Sequence, residues 1–247
     1  MSTTYLITGA SRGLGQEFTR QILKADKSYK VIAAARNPSN ATALNELAKE
    51  FEGRVYVLKA DVTDVKSLEA AAKELEGSSF LENGGVDVLI NNAGVIHGGW
   101  NSPTKSTIQD FRDNFETNVF GVAQATESFL PLLRKGNKKQ IFVVSSILGS
   151  IGGDLSKAPV AATYSVSKAA VNMWTVKLAR ELADEGFTVV PFHPGYVNTD
   201  MNGGENGSGE ISTPVAIEHI LKNIVFKVNK ADNAKFLNYA KGEELPW

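Results

Sequence analysis

The chain alternates short apolar, β-rich runs with longer stretches of helical period, and that alternation leaves it few architectures. Strand candidates fall at Thr4–Thr8, Lys30–Ala35, Val55–Lys59, Val86–Asn91, Gln140–Ser145 and Thr188–His193, with a weaker one at Lys235–Leu237. Amphipathic stretches separate them at Leu14–Ala25, Ala41–Phe51, Val65–Glu76, Thr107–Leu133 and Ala162–Glu185. Runs such as Ile141-Phe142-Val143-Val144 are apolar at every position, as strands buried on both faces must be. The rhythm predicts an α/β architecture, a doubly wound parallel sheet of about seven strands with helices on both faces. At 247 residues the whole chain, 1–247, reads as one domain.

Charge and composition narrow the function. A net charge of -1 argues against a nucleic-acid partner. There is no cysteine, which excludes disulfides, thiolate metal sites and cysteine nucleophiles. His97, His193 and His219 are scattered without metal-ligand spacing, so no metal is expected. No apolar run is long enough to span a membrane, and no basic-then-apolar leader precedes the first strand. A cytoplasmic protein with no membrane partner is expected.

The turn Thr8-Gly9-Ala10-Ser11-Arg12-Gly13-Leu14-Gly15 follows the first strand and opens the first helix. Its glycines permit a tight turn and a close backbone approach to a pyrophosphate. The helix N-terminus adds N–H groups and a positive dipole end. Gly9, Ser11, Arg12, Gly13 and Leu14 are therefore candidate nucleotide contacts. Downstream, Tyr164 and Lys168 are four positions apart, one turn along a helix face. A phenol with a reference pKa of about 10 is a poor acid or base near neutrality, and an ammonium beside it favours the phenolate.

With Asn91-Asn92-Ala93-Gly94 after the fourth strand and Tyr164/Lys168 in order behind it, the chain resembles the short-chain dehydrogenase/reductase family along essentially its whole length. Within that family it is similar to carbonyl-reductase-like and fungal ketoreductase-like members, which carry segments like Ser145-Ser146-Ile147-Leu148-Gly149 and His193-Pro194-Gly195-Tyr196-Val197-Asn198-Thr199-Asp200-Met201. The resemblance implies a Rossmann-type fold and a dinucleotide. The strand-two end supplies charge information. Where an NAD-binding carboxylate would sit, the sequence runs Ala33-Ala34-Ala35-Arg36. Arg36, with Arg12 in the glycine turn, suits a 2′-phosphate and predicts NADP(H).

The remaining assignments follow from the resemblance. Asp61 and the Val62 backbone meet the adenine; Asp61 and Thr63 can also cap the next helix, and both roles can hold. Asn91, Ala93 and Gly94 form a loop that is either sheet-stabilising or cofactor-contacting. Pro194, Gly195, Val197 and Thr199 meet the nicotinamide. Asn118, Ser146, Tyr164 and Lys168 form the catalytic group. Tyr164 exchanges a proton with the substrate oxygen, and Ser146 stabilises charge on that oxygen. Lys168 lowers the Tyr164 pKa and binds ribose hydroxyls, and Asn118 holds a water for proton relay. At the family's usual spacing from the tyrosine stands Ile151, which has no oxygen. The loop Ile147–Thr163 is therefore longer than usual, and Ser145, Ser146 and Ser150 compete, with Ser146 preferred.

The glycine-rich stretch Gly195–Ser212 reads as a substrate lid. Tyr196, Met201, Ile211 and Trp100 suggest an apolar pocket or ordinary packing. The implied activity is NADPH-dependent reduction of an apolar or aromatic ketone or aldehyde. NADP-dependent alcohol oxidation is the alternative, and a non-catalytic NADP(H) sensor is a remote one. The family also implies a homodimer or homotetramer through Thr107–Leu133 and Ala162–Glu185. On the second of these, Val171, Trp174 and Leu178 face either a partner or the sheet.

Overall fold

The computed structural model describes residues 2–81, 84–202 and 209–247. Among them, seven strands hydrogen-bond in the order β3-β2-β1-β4-β5-β6-β7. They are β1 (Thr4–Thr8), β2 (Lys30–Ala35), β3 (Val55–Lys59), β4 (Val88–Asn91), β5 (Gln140–Val144), β6 (Thr188–His193) and β7 (Leu237–Asn238). β1 pairs in parallel with β2, Ile7 opposite Ala33, and on its other edge with β4, Leu6 opposite Leu89. The pairing of β2 with β3 and of β6 with β7 is also parallel. Strand order reverses between β1 and β4, the switch point where α/β sheets bind ligands beyond their carboxyl ends.

Residues Met1–Ala93 with Ala123–Phe142 form one compact unit, and Gly94–Val122 with Val143–Trp247 form a second. In the first, α1 (Gly13–Ala25) buries Phe18, Thr19, Ile22 and Leu23, the inward stripe of an amphipathic helix. Each large apolar side chain there is worth roughly 2 kcal/mol. The helices α2 (Thr42–Glu50) and α3 (Val65–Glu76) follow the same pattern, and Asp64 caps α3 by accepting the Lys66 and Ser67 N–H groups. β4 starts two residues later than the apolar run suggests, because Val86 and Asp87 are otherwise engaged. Val86 N–H donates to the Leu132 carbonyl at 3.0 Å. The buried Asp87 carboxylate accepts the Thr4 and Asn137 N–H groups at 2.8 and 2.7 Å.

The single helix expected over Thr107–Leu133 is three elements. α4 (Ile108–Phe115) opens with a reciprocal capping box between Thr107 and Asp110. A π turn, Glu116–Phe120, then leads into α5 (Gly121–Lys135). The π turn takes up an extra residue, a register change that a 3.6-residue pattern does not reveal. α6 (Ala162–Glu181) is four residues shorter than expected and buries Thr163, Tyr164, Ser167, Lys168, Asn172 and Thr175 alongside Val171 and Ala179. Such a polar buried face is costly unless every group finds a partner. Trp174 packs inward with Val119 against Val122, Val143 and Val171, while Val166 and Met173 are the exposed apolar residues of α6.

Sequence reasoning missed α7 (Thr213–Ile220) and the π turn Leu221–Val225 behind it. Pro214 near the helix start and the spacing of Ile217, Ile220, Leu221 and Ile224 were the available signals. β7 is displaced toward Asn238 relative to Lys235–Leu237, and Trp247 stacks on Phe236 at 5.6 Å. Of the stretch expected as a lid, residues 203–208 lie outside the described residues. Its base is stitched together: Asn198 N–H donates to the Ile211 carbonyl at 2.9 Å and Glu210 N–H to the Tyr196 carbonyl at 2.8 Å. No described helix is long and apolar enough to cross a membrane.

Candidate active site

In the first unit, Gly9 and Gly13 adopt φ of +65° and +54°, the left-handed region that favours glycine. Gly15 is needed for space: a Cβ there would collide with the Gly9 carbonyl oxygen and lie 2.6 Å from Asn92 Nδ2. The Thr8 hydroxyl accepts the Asn92 and Ala93 N–H groups at 3.0 and 3.1 Å. Asn92 Nδ2 donates back to the Thr8 and Gly9 carbonyls at 2.9 and 3.2 Å. Thr8 and Asn92 thus lock the glycine turn to the loop after β4. Neither was singled out from the sequence, since only the pairing of β1 with β4 brings them together. No side chain caps α1 at Arg12, so its first N–H groups are left to an incoming acceptor. Ser11 and Leu14 are half-buried in this turn.

Arg12 and Arg36 are both exposed. Asp61 Oδ1 accepts the Thr63 N–H and hydroxyl at 3.0 and 2.8 Å, and Asp64 caps α3, so Asp61 is not the helix cap. Val62 beside it is buried. The Asn91 side chain is also buried, and its Nδ2 donates to Thr126 Oγ1 at 2.9 Å. That bond ties the end of β4 to α5, while Asn91 Oδ1 is buried without a hydrogen-bond partner among the described residues. Ala93 and Gly94 are half-buried.

In the second unit, Asn118, Ser146, Tyr164 and Lys168 are all buried. Ser146 begins a short 3-10 turn (Ile147–Gly149), and its Oγ accepts the Leu148 N–H at 3.2 Å. That leaves the hydroxyl proton for another oxygen, and Ser146 hydrogen-bonds the Tyr164 phenol. The competing serines are engaged elsewhere. Ser145 Oγ donates to Asn172 Oδ1 at 2.5 Å, and Ser150 Oγ to the Pro246 carbonyl at 2.6 Å. Lys168 Nζ donates to the Val144 carbonyl at 2.9 Å and lies 5.5 Å from the Tyr164 ring centroid.

Burial dominates the electrostatics. It pushes the Tyr164 phenol up to about 12, against a smaller lowering by the Ser146 hydrogen bond. Burial also pulls Lys168 down to about 8. Lys168 faces the ring and the Val144 carbonyl, and the Ser146 hydrogen bond works against the effect of burial on the phenol.

Asn118 occupies the π turn. Its Oδ1 accepts the Val95 N–H and its Nδ2 donates to the Val95 carbonyl, both at 2.9 Å, and to Ser167 Oγ at 3.0 Å. One turn earlier, Asn114 Oδ1 accepts the His97 N–H at 3.1 Å, and Asn114 Nδ2 lies 2.9 Å from the His97 carbonyl and 3.0 Å from Thr163 Oγ1. Two buried amides therefore grip alternate residues of the loop after β4. Both amide hydrogens of Asn118 are taken by these bonds. Asn114 was missed; an asparagine four positions before another on a helix is its only sequence signal.

The Pro194-Gly195 turn follows β6. Gly195 has φ +93° and no room for a side chain: a Cβ would lie 2.6 Å from Ile211 Cδ1 and 2.9 Å from Tyr239 Cε1. Val197, buried, bridges Ile211 in parallel, and Thr199 is half-buried beyond it. Tyr196 meets Trp100 edge to face at 6.3 Å, and half of Trp100 is exposed. Met201 is exposed as well. Burial pulls His193 down to about 4, so it is neutral. Among the described residues, no group of acidic, histidine or cysteine side chains could hold a metal.

Known proteins resemble this chain in sequence and fold. The chain matches the short chain dehydrogenase family over residues 3–208. An uncharacterized oxidoreductase of Schizosaccharomyces pombe is 37% identical over 204 residues, covering 81% of this chain and 77% of the relative. The carbonyl reductase Sniffer of D. melanogaster superposes with a TM-score of 0.90 at 29% identity, covering 100% of both chains. An NADPH-bound carbonyl reductase from chicken fatty liver gives a TM-score of 0.89 at 30% identity, covering 100% of this chain and 94% of the other.

Proposed function

The chain belongs to the short chain dehydrogenase family, and from that premise we propose that it is an NADPH-dependent carbonyl reductase acting on an apolar or aromatic ketone or aldehyde. The observation that carries the reading is the buried Tyr164–Lys168 pair, one turn apart on α6, with Ser146 hydrogen-bonded to the phenol from the turn after β5. A buried phenol and lysine on one helix face, joined by a serine from a neighbouring turn, have little value as packing and fit proton exchange with a substrate oxygen.

The first unit fits a dinucleotide. The left-handed Gly9 and Gly13, and Gly15 with no space for a Cβ, bring backbone to the open N-terminus of α1, where a pyrophosphate would be held. Arg12 and Arg36, exposed at the turn and at the end of β2, would hold a 2′-phosphate. Bound NADPH supplies the hydride. The adenine would lie toward Asp61 and Val62, and the nicotinamide toward Pro194, Gly195, Val197 and Thr199.

The protein's own groups handle the oxygen. The neutral, protonated Tyr164 gives its proton to the carbonyl oxygen as that oxygen gains charge. Ser146, its lone pair occupied by the Leu148 N–H, directs its hydroxyl proton at the same oxygen and stabilises the charge there. Lys168 would hold the nicotinamide ribose hydroxyls, and its ammonium favours the phenolate left behind. Asn118 and Asn114 fix the loop that carries Trp100, and the Trp100–Tyr196 pair offers an aromatic wall to the substrate.

The test is NADPH oxidation over a panel of ketones, quinones and aldehydes, with Tyr164→Phe as the blank. Turnover absent from the blank supports the reading. NADPH binding without turnover on any carbonyl would instead mark a cofactor sensor. Exposed Phe120, Val166 and Met173 give α6 and the π turn an apolar outer face suited to a homodimer, which the mass from sedimentation equilibrium checks.

A further inference from the structure

Asn172 is an expensive residue for its position. It lies on α6 one turn after Lys168, 3% exposed, in a helix interior that disfavours asparagine and a buried site that favours leucine. Its partners explain it. Asn172 Oδ1 accepts the Ser145 hydroxyl at 2.5 Å, and its Nδ2 faces the Gly149 carbonyl at 3.4 Å. Ser145 stands immediately before Ser146, and Gly149 ends the 3-10 turn that Ser146 begins. One amide therefore reaches both flanks of the segment carrying Ser146. Gly149 adds a second constraint: a Cβ there would lie 2.7 Å from the Lys168 carbonyl carbon, so the turn rests directly on the α6 backbone.

The far side of this long loop is tied as well. Ser150 Oγ donates to the Pro246 carbonyl at 2.6 Å, and Gly152 N–H donates to the Trp247 carbonyl at 2.5 Å. Those contacts anchor the loop beyond its turn; they do not set the Ser146 hydroxyl. The contact next to Ser146 that could do so is the Ser145–Asn172 bond, among the shortest side-chain hydrogen bonds here and fully buried.

We infer that Asn172 is a positioning residue that fixes the Ser146 hydroxyl relative to Tyr164 by holding Ser145 and Gly149 on either side of it. The inference rests on the proposed role of Ser146 at the substrate oxygen. A loosened Ser145 lets the serine turn rotate away from the phenol. Serine then stabilises the substrate oxygen less and acidifies Tyr164 less. Cofactor binding draws mainly on the glycine turn and the ends of β2 and β6, and changes little.

The experiment is a double-mutant cycle. NADPH-dependent reduction of the best panel carbonyl is measured for the wild type, Asn172→Leu, Ser145→Ala, Ser146→Ala and the Ser146→Ala/Asn172→Leu pair. NADPH affinity is measured separately by fluorescence. Asn172→Leu and Ser145→Ala are each expected to lower kcat about 10-fold, with the NADPH dissociation constant within about twofold of wild type. Ser146→Ala is expected to lower kcat about 100-fold, and adding Asn172→Leu to it should cost less than about twofold more. In the oxidation of the product alcohol, the pH of half-maximal rate should move upward in Asn172→Leu and Ser145→Ala, because a phenol less well bonded by serine ionises later.

Equal losses from Asn172→Leu with and without Ser146 would mean a packing role and overturn the inference. So would wild-type kcat and an unmoved pH limb in Ser145→Ala, which removes only one oxygen and carries the test if Asn172→Leu fails to fold. Failure of the underlying reading looks different: Ser146→Ala would then be as active as wild type, or the wild type would reduce no carbonyl.

Discussion

The Lys168 ammonium sits 5.5 Å from the centroid of the Tyr164 ring and gives a hydrogen bond to the Val144 carbonyl, so its charge is set against the ring and the strand end. Both groups are buried, and burial moves them toward neutrality from opposite sides, the phenol up to about 12 and the lysine down to about 8. Keeping both groups buried costs the fold stability. That cost can be measured.

Lys168→Met should stabilise the protein near pH 7 by about 1–2 kcal/mol while abolishing turnover. The lysine is charged in the unfolded chain up to its ordinary value, but gives up its proton near 8 when folded. Below that pH the fold carries a buried charge; between it and the ordinary lysine value the unfolded chain binds the extra proton, so wild-type stability rises with pH. Met replaces the stem and forfeits one hydrogen bond to Val144. Urea unfolding at pH 7 and at pH 10 should show the variant's advantage shrinking at the higher pH. An advantage that grows with pH would overturn the account.

Arg36→Asp should reverse the cofactor preference. A carboxylate at the end of β2 accepts a hydrogen bond from a ribose 2′-hydroxyl and repels a 2′-phosphate. The ratio of kcat/KM for NADPH over NADH is expected to fall by at least about 100-fold, the scale of losing one charge-assisted bond and gaining a repulsion. Stability should be unchanged, since Arg36 is exposed. A ratio that does not move would remove Arg36 from the cofactor site.

These effects divide according to what a linear sequence can show. The sheet was legible because β1, β2, β5 and β6 are apolar runs of strand length, and such runs hardly fit another environment. The glycine turn and the Tyr164/Lys168 pair were legible because each is local. The π turn was not, since Glu116–Phe120 keeps an apolar pattern that a continuous helix would also satisfy. α7 was hidden behind the glycine-rich stretch before it. The sequence left Ser145, Ser146 and Ser150 in competition; their partners, Asn172, Tyr164 and Pro246, come from distant positions. For the same reason the partners of Thr8, Asn92, Asn114 and Asn172 were not legible in the sequence. Each acts through a hydrogen bond to backbone or side chain that only the fold brings near.

Asn114→Leu should destabilise the protein by about 2–3 kcal/mol. Leucine is close in volume and a better helix former, so propensity favours the change slightly. Against that, it strands the His97 N–H that Asn114 accepts at 3.1 Å, takes one of two donors from the His97 carbonyl, leaving Thr163 Oγ1 at 2.9 Å, and removes a partner of Thr163. The loop carrying Trp100 should loosen, raising KM for an aromatic ketone more than it lowers kcat. Chemical denaturation and steady-state kinetics test both halves, and a variant as stable as wild type would show that the amide clamp contributes little.

Gly15→Ala sets two effects of opposite sign against each other. Alanine is better than glycine within a helix by about 1 kcal/mol, and Gly15 does not need a left-handed backbone. Space decides the outcome. The new methyl would strike the Gly9 carbonyl oxygen and approach Asn92 Nδ2 to 2.6 Å and Ala10 Cα to 2.9 Å. Two of these neighbours are backbone, and the third is held by its bonds to the Thr8 and Gly9 carbonyls. Nothing yields cheaply, and overpacking of this kind costs about 1–3 kcal/mol. The variant should melt below wild type and bind NADPH at least about 10-fold more weakly, because the turn that yields is the one that would meet the pyrophosphate. Thermal unfolding with and without NADPH separates the two losses. A variant that melts higher than wild type and binds NADPH equally well would mean that the turn relaxes freely, and that the close approach of Gly15 to Gly9 is not what shapes the cofactor end.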